Sequence, residues 1–576
     1  MNMGINMQSF LSRLRREWNF PLQIVIFFTV AIISLPFIGA GQDDTWIMLF
    51  AGEELGRSSW FTNHNGQLQE VSSSVLGALL AWASSNLAPA GSEYVTWKII
   101  AWLPSLIAAV IFFRALASNI NKVYAVCWVG VLCCIPQWHY WGWGGLESGL
   151  FWLLSLLLAL TLTTHVNTPT PKTAVWLTIL TIALPLTRAD ALWAPLLLLI
   201  TPFLMRSAPF HLRFLPALIA TGGLLLFHFI RYQYTGEWLP SPTYAKAGFS
   251  IENIQHGLSY LTEFHADSPL HITLALAIPL SGLATVRLLL SLIGIRNARP
   301  GLFEWAGTLV LIIDSTTVIV GGDWMTHHRF AIRSVLLKLV VLAQAMAWWI
   351  TWLQKYNLPI WLKRAMAGCA LIVVVSGWSA MGIVAREGSP ARGTSINPNI
   401  LPTTTIDEYF MQSNSPYLRD QTVLMPWIIN ELPTLVQHAR DTKRLPLVVA
   451  SYQAGFFPRE LRKRYSIDEV LFIDIVGLTD FRIGKLPGAR TPLGLSEGMF
   501  LWAESIALGR GSLGTLLRQC KPDAVYVLSA TPDEQRLMQA GGYQLSYQKT
   551  MAANGTRGAI VFTAEPNLET RHCVLQ

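Results

Sequence analysis

Eleven apolar runs, each about 17 residues or longer, limit what this chain can fold into more than any other feature. They lie near 21–40, 97–115, 122–137, 148–164, 173–188, 190–205, 213–230, 270–292, 303–320, 331–352 and 362–382. Backbone amides in lipid must bond within their own segment, so each run is expected to be a helix. Composition agrees: of 576 residues, 52% are hydrophobic and only 13% charged, about half the charged share of a soluble domain. The expected fold class is a polytopic α-helical membrane protein with about eleven transmembrane helices.

The run 72–88, SSSVLGALLAWASSNLA, is apolar but short and serine-rich at both ends. Loop charge decides its place. Arg13, Arg15 and Arg16 precede the first run and no small-residue cleavage site follows it, so that run reads as a retained helix with a cytoplasmic N-terminus. If 72–88 does not cross, the loops with Arg114/Lys122, Lys172, Arg206/Arg213, Arg296/Arg299 and Lys355/Lys363/Arg364 all fall inside, the positive-inside pattern. Counting it as a span reverses that bias, so 72–88 is expected to be a juxtamembrane helix. Eleven spans then place the chain from 383 onward outside.

That tail has ordinary charge and reads as a soluble α/β domain. LPLVVAS, PDAVYVLSA and GAIVFTAE have the pattern of buried strands, and MFLWAESIALGRGSLGTLLRQC that of a helix. REGSPARGTSINPNILPTTT reads as the linker. Residues 1–382 are thus expected to form a transmembrane domain and 383–576 an extracytoplasmic α/β domain. The net charge of +8 is spread over short loops without a basic block, which argues against nucleic acid. Cys127, Cys133, Cys134 and Cys369 lie in apolar runs without zinc spacing. Cys520 and Cys573 lie in the polar tail and are expected to pair if it is oxidised.

On this topology nearly every acidic residue of the membrane half faces outward: the Asp43–Asp44 pair, Glu70, Glu147 in GGLES, Asp190 in TRAD and Asp323 in GGDW. A carboxylate at a membrane boundary is a candidate general base, although Asp43 and Asp44 also suit capping of the helix that starts at Thr45. Arg188, Arg231, Lys246, Arg329 and Arg333 break the positive-inside trend on this face. Such cations suit a phosphate at headgroup depth; the simpler reading pairs Arg188 with Asp190 and Arg329 with Asp323. The loop QWHYWGWGG, with Trp141, fits either an interfacial aromatic belt or a stacking platform for a sugar or prenyl chain. His327 and His328 are adjacent with no third ligand nearby in sequence, so hydrogen bonding is expected of them and not metal binding. Asp314, within a span, must pair or face a wet cavity.

Taken in order, these motifs resemble the GT-C fold glycosyltransferases that use polyprenyl-phosphate sugars, and within them the terminal (AftB-like) arabinofuranosyltransferases of the mycobacterial cell wall and the pilin-type enzymes. The matching segments are DDTWIMLFAGEEL at Asp43 and Asp44, GLESGLF at Glu147, LTRADAL at Arg188 and Asp190, LPSPTYAKAG at Tyr244 and Lys246, and GGDWMTHHRF at Asp323 and Arg329. In the tail, YSIDEVLFIDIVGLTD matches at Asp474 and Asp480. MLFAG and QEVSSS depart from the family in the first outer loop, where donor sugar and acceptor are distinguished.

The resemblance implies a multi-pass enzyme of the bacterial inner (plasma) membrane with a periplasmic tail. It would transfer a sugar, D-arabinofuranose first among candidates and a hexose second, from polyprenyl phosphate to a glycan or a protein such as pilin. It implies catalysis by Asp43 or Asp44, with Asp43 the expected base. Arg188, Lys246, Arg329 and Arg231 would hold the donor phosphate, and Glu70, Glu147, Asp190, Tyr244, Asp323, Trp141 and His328 the sugar or acceptor. The sequence has no nucleotide-binding fingerprint or metal cluster, so no cofactor and no metal are expected, with a cation bound between the acids as the alternative. Inversion and retention both stay open. A lipid-linked sugar flippase is the rival of another class, and an assembly protein that merely carries the outer domain is a third reading.

Overall fold

The structure is a computed structural model that describes residues 20–355 and 424–565, apart from 39, 41–42, 59, 206, 247–249, 268–269, 296–298, 324–327, 487–500, 529 and 551–557. The first part is helical. It opens with α1 (Phe20–Ser34), α2 (Asp43–Ser58), α3 (Val75–Leu87), α4 (Glu93–Asn119) and α5 (Lys122–Cys133). Then come α6 (Pro136–Trp143), α7 (Ser148–Asn167), α8 (Pro171–Thr187), α9 (Trp193–Leu204) and α10 (Phe210–Thr235). The last five are α11 (Ser241–Lys246), α12 (Ile251–Asp267), α13 (His271–Leu292), α14 (Leu302–Ile319) and α15 (Val335–Lys355).

Among the described residues six helices are long and apolar enough to cross a membrane: α4, α7, α10, α14, Thr273–Leu292 of α13, and Ala331–Trp352, which includes α15. Leu196, Leu225 and Leu226 are each more than half exposed, as lipid-facing side chains would be. Four other expected spans fall on shorter apolar helices, Pro21–Phe37, Lys122–Cys133, Pro171–Thr187 and Ala189–Leu204, so six and not eleven helices have the length of a span among the described residues. Local chemistry cuts two of the four. The run 122–137 stops because Pro136 starts a new helix. The run 173–188 stops because Arg188 leaves the helix with an extended backbone, φ −152°. The remaining expected span, 362–382, lies outside the described residues, as do the linker and the 382/383 boundary.

The segment expected to lie along the membrane is α3, at 13 residues too short to cross. Ser74 caps it, its hydroxyl accepting from Gly77 N at 3.0 Å. α3 packs on α2, where any side chain at Gly52 would meet the α3 backbone at 2.5 Å.

The tail begins with α16 (Met425–Asn430) and α17 (Leu432–Asp441), followed by β1 (Leu447–Ser451), α18 (Phe456–Arg464), β2 (Val470–Asp474) and α19 (Phe481–Gly484). It continues with α20 (Trp502–Leu508), α21 (Gly511–Leu517), β3 (Ala524–Val527), α22 (Pro532–Ala540), β4 (Tyr543–Thr550) and β5 (Gly558–Ala564). The five strands form one sheet in the order β2-β1-β3-β5-β4. β2, β1 and β3 run parallel, and β5 and β4 antiparallel to their neighbours. The three strands expected from sequence are β1, β3 and β5. The single helix expected over 499–520 is two, because Gly509 takes a left-handed conformation at φ 65° and ends α20. Cys520 is disulfide-bonded; its expected partner, Cys573, lies outside the described residues.

The two parts share a core. Trp46 and Phe50 of α2 and Trp97 of α4 belong to one buried apolar cluster with Trp427, Phe456 and Phe472 of the tail. Trp46 meets the Phe456 ring edge-on at 5.1 Å.

Candidate functional site

Helix α2 opens on Asp43 and Asp44, and adjacent residues on a helix point about 100° apart. The two carboxylates therefore serve different places. Asp43 faces the tail: its carboxylate accepts from Gly455 N at 2.8 Å and Phe456 N at 3.0 Å. These are amides at the start of α18, which no earlier turn can satisfy. A Cβ at Gly455 would lie 2.2 Å from the Asp43 carbonyl oxygen, so only glycine permits the approach. Asp44 faces inward, into a cavity of about 270 Å³.

This cavity lies at one end of the helix bundle and draws its wall from six stretches of the membrane half and one of the tail. Asp44, Glu147, Arg188, Asp190 and Arg329 supply its charge. Met48, Leu192, Leu239 and Phe330 supply apolar wall, and Leu478 closes it from the tail. Leu478 is buried among Ile47, Ala245, Ala454 and Val476. Its loop is self-bonded: Asp474 accepts from Val476 N at 3.0 Å, Thr479 N at 2.6 Å and the Thr479 hydroxyl at 2.9 Å. Asp480 instead pairs with Arg482 at 2.6 Å.

Glu147 is the centre of the charged cluster. It is 2% exposed, and its Oε1 accepts from Arg329 Nη2 at 2.9 Å and from Arg188 Nη1. Burial pushes this carboxyl up, but Arg329 and Arg188 more than reverse that and bring it down to about 2. Arg188 also grips Asp190 with Nε at 3.0 Å and Nη2 at 3.2 Å. Arg333 bonds Asp190 from the other side and donates to Thr317 Oγ1 at 2.9 Å. The Phe330 ring lies 4.6 Å from the Arg188 guanidinium and 4.5 Å from that of Arg333. Arg329 Nη1 reaches Asp44 Oδ2 at 3.1 Å and lies 3.9 Å from Asp323 Oδ2. The Arg188–Asp190 pair anticipated from sequence is present; Arg329 sits closer to Glu147 and Asp44 than to Asp323.

Other candidates stand around this centre or apart from it. Trp141 is fully buried beneath Arg329, ring to guanidinium 5.9 Å, and does not line the cavity. His328 is buried edge-on to Tyr260 at 5.1 Å, with a left-handed backbone of φ 52° that sets the direction of Arg329. Asp323 is buried, and neither of its carboxylate oxygens has a hydrogen-bond partner among the described residues. Arg231 and Glu70 lie outside the cavity wall and bind each other at 2.6 and 3.1 Å. Because Arg231 also donates to Trp238 O at 3.1 Å, this pair straps α10 to the first loop, away from the cavity wall. The Tyr244 ring packs 4.7 Å from Lys485 Nζ. Lys246 ends α11; its side chain lies outside the described residues. Asp314 pairs with Lys338 at 2.9 Å and accepts from Ser334 Oγ at 2.6 Å.

Phe330 and Leu478 complete the centre without having been singled out as site residues, and Arg333 joins it from the outward cations to which no role was assigned. Arg333 had a signal, a cation on the face where cations are few. Leu478 had only the GLTD segment, and Phe330 none. Among the described residues no three His, Cys, Asp or Glu side chains converge as a metal-binding set. Comparison of the chain with models of known families, with characterised proteins and with solved structures gives no match.

Proposed function

We propose that this chain is a membrane glycosyltransferase that moves a sugar, D-arabinofuranose first among candidates, from a polyprenyl-phosphate donor to a cell-envelope glycan or protein. In this reading eleven spans keep the N-terminus in the cytoplasm of a bacterium and carry the tail into the periplasm. The observation that supports it most is the cavity itself, where the Asp44 carboxylate meets Arg329 and shares the wall with Arg188, Glu147 and Asp190 at the end of an apolar bundle. The prenyl chain would stay in lipid while phosphate and sugar reach this pocket.

We assign the base to Asp44 and not to Asp43, because two tail amides already hold the Asp43 carboxylate. The acceptor hydroxyl oxygen attacks the anomeric carbon as Asp44 takes its proton. The bond from that carbon to the phosphate oxygen breaks, its electron pair leaving with the phosphate. Arg329 and Arg188 stabilise the charge that grows there. Glu147 is held by Arg329 and Arg188, and Asp190 by Arg188 and Arg333, which favours Asp44 as the base and, with one base, inversion.

A flippase of lipid-linked sugars draws on a different observation, the buried Asp314–Lys338 pair inside the bundle. One experiment separates the two. Membranes carrying the protein should transfer radiolabelled sugar from polyprenyl-phosphate arabinofuranose to an envelope acceptor. Transfer from a hexose donor alone would correct the sugar, and movement of donor across the bilayer without transfer would replace the enzyme reading by the flippase.

A further inference from the structure

Among the described residues Leu478 is the one that the tail supplies to the cavity wall, and the turn that carries it is held on both sides. Gly477 has a left-handed backbone of φ 79°, and a Cβ there would stand 2.4 Å from Gly484 N, so only glycine lets the turn close this tightly. Gly484 in turn approaches α11, where its own Cβ would lie 3.3 Å from Ala245 N, and Lys485 pairs with Glu237 just ahead of α11. α11 itself gives the wall Pro242 and Thr243. The wall at Leu478, 6% exposed, is therefore stiff. Its neighbours show which half of the cavity it bounds. Leu478 shares an apolar cluster with Ile47, which stands three residues beyond Asp44 on α2 and so on the same helix face, with about 5–6 Å between Cβ atoms. Phe330, the ring against Arg188, belongs to the larger cluster of the helix bundle. The cavity thus has an arginine end and a base end, and Leu478 stands at the base end.

On the transferase reading given above, we propose that Leu478 is a specificity-determining residue for a glycan acceptor: its side chain packs on the acceptor sugar beside the attacking hydroxyl and limits what can stand there. The attacking oxygen approaches the anomeric carbon opposite the bond that breaks, so with the phosphate at the arginine end the acceptor lies at the base end. There it offers neutral hydroxyls and the apolar face of a ring, which a branched aliphatic side chain fits by shape. Water reaches Asp44 whatever stands at 478, and it is the competing acceptor. Its oxygen bonds the anomeric carbon, its proton goes to Asp44, and the electron pair of the broken bond leaves with the phosphate, so that free sugar is released. A well-seated glycan excludes that water, and Leu478 thereby sets how much donor is lost to hydrolysis.

The test is steady-state kinetics of the full chain in nanodiscs, with farnesyl-phosphate arabinofuranose as donor and an octyl arabinofuranosyl oligosaccharide as acceptor, glycosylated product and free sugar being counted separately. Leu478→Ala should raise the acceptor KM about tenfold, the effect expected when an aliphatic contact is removed, and keep the donor KM within about twofold of wild type. It should also raise severalfold the share of donor that goes to water. Leu478→Trp, which fills the space, should abolish transfer while donor is still hydrolysed. An acceptor KM unchanged in Leu478→Ala, or a donor KM that rises as much as the acceptor KM, makes Leu478 a packing residue and overturns the proposal. So does a Leu478→Trp protein that transfers as well as wild type. Hydrogen exchange at residues 455–461 reports whether the tail stays seated. Faster exchange in Leu478→Ala beside the raised acceptor KM assigns the effect to docking and overturns the proposal too. Wild type that hydrolyses the donor and glycosylates no oligosaccharide removes the glycan acceptor and this inference, leaving the donor site standing. Wild type that neither transfers nor hydrolyses removes the transferase reading as well.

Discussion

At the scale of residues, the cluster around Glu147 carries a large penalty for any missing member. Two guanidinium groups converge on one carboxylate that is almost fully buried, and removing one partner of such a group strands charge in a low-dielectric site at a cost of about 3–5 kcal/mol. Glu147→Gln should therefore lower the unfolding midpoint of the purified protein by several degrees, even though the substitution barely changes shape. Asp323→Asn at the same boundary should cost far less, since its nearest cation among the described residues is 3.9 Å away. Equal loss in both variants, read by thermal unfolding in detergent, would show that Glu147 is not the keystone.

At the scale of elements, the contact between α2 and α18 joins the membrane half to the tail. Asp43 satisfies two amides of a helix in the tail, and Gly455 makes room for it. Gly455→Ala should push α18 off α2, seen as faster hydrogen exchange at residues 455–461, with the sheet of the tail unchanged. Exchange as slow as wild type would mean the Asp43 contact does not hold the tail. The same seam carries a pH dependence. Burial holds the His64 ring well below its ordinary value, at about 3, and Arg462 adds to this while the bond between Nε2 and Ala454 O opposes it. The unfolded or undocked ring takes a proton near 6.5, the seated ring only near 3, so between these values the undocked state binds more protons. Docking is thus strongest above pH 6.5 and weakens as pH falls, by up to about 1.4 kcal/mol per unit. His64→Gln should flatten the dependence of 455–461 exchange between pH 6.5 and 4.5. A slope that survives the substitution assigns it to another group.

At the scale of the whole molecule, apolar length made the helical membrane half legible, and loop charge alone set α3 aside from the spans. Periodicity could not show where Pro136 and Arg188 cut their runs, because a stop set by one residue leaves the surrounding apolarity intact. Gathering acids and cations on one face found Glu147, Arg188, Asp190 and Arg329 together. It could not separate Asp43 from Asp44, since only the rotation of α2 against the tail sends one to α18 and the other to the cavity. Arg231 and Glu70 had the same sequence credentials as the true wall residues, yet a mutual pair 161 positions apart in sequence is invisible before the chain folds. Leu478 came from the tail, far along the sequence, for the same reason.

The central claim is that Asp44, in a cavity completed by the tail, is the base of a glycosyl transfer. The most direct measurement is the initial rate of transfer from polyprenyl-phosphate arabinofuranose in membranes with equal amounts of wild type, Asp44→Asn and Asp43→Asn. The account predicts that Asp44→Asn lowers the rate by about a hundredfold or more, while Asp43→Asn, which keeps one accepting oxygen for α18, loses far less. A rate that Asp43→Asn abolishes and Asp44→Asn spares would contradict it.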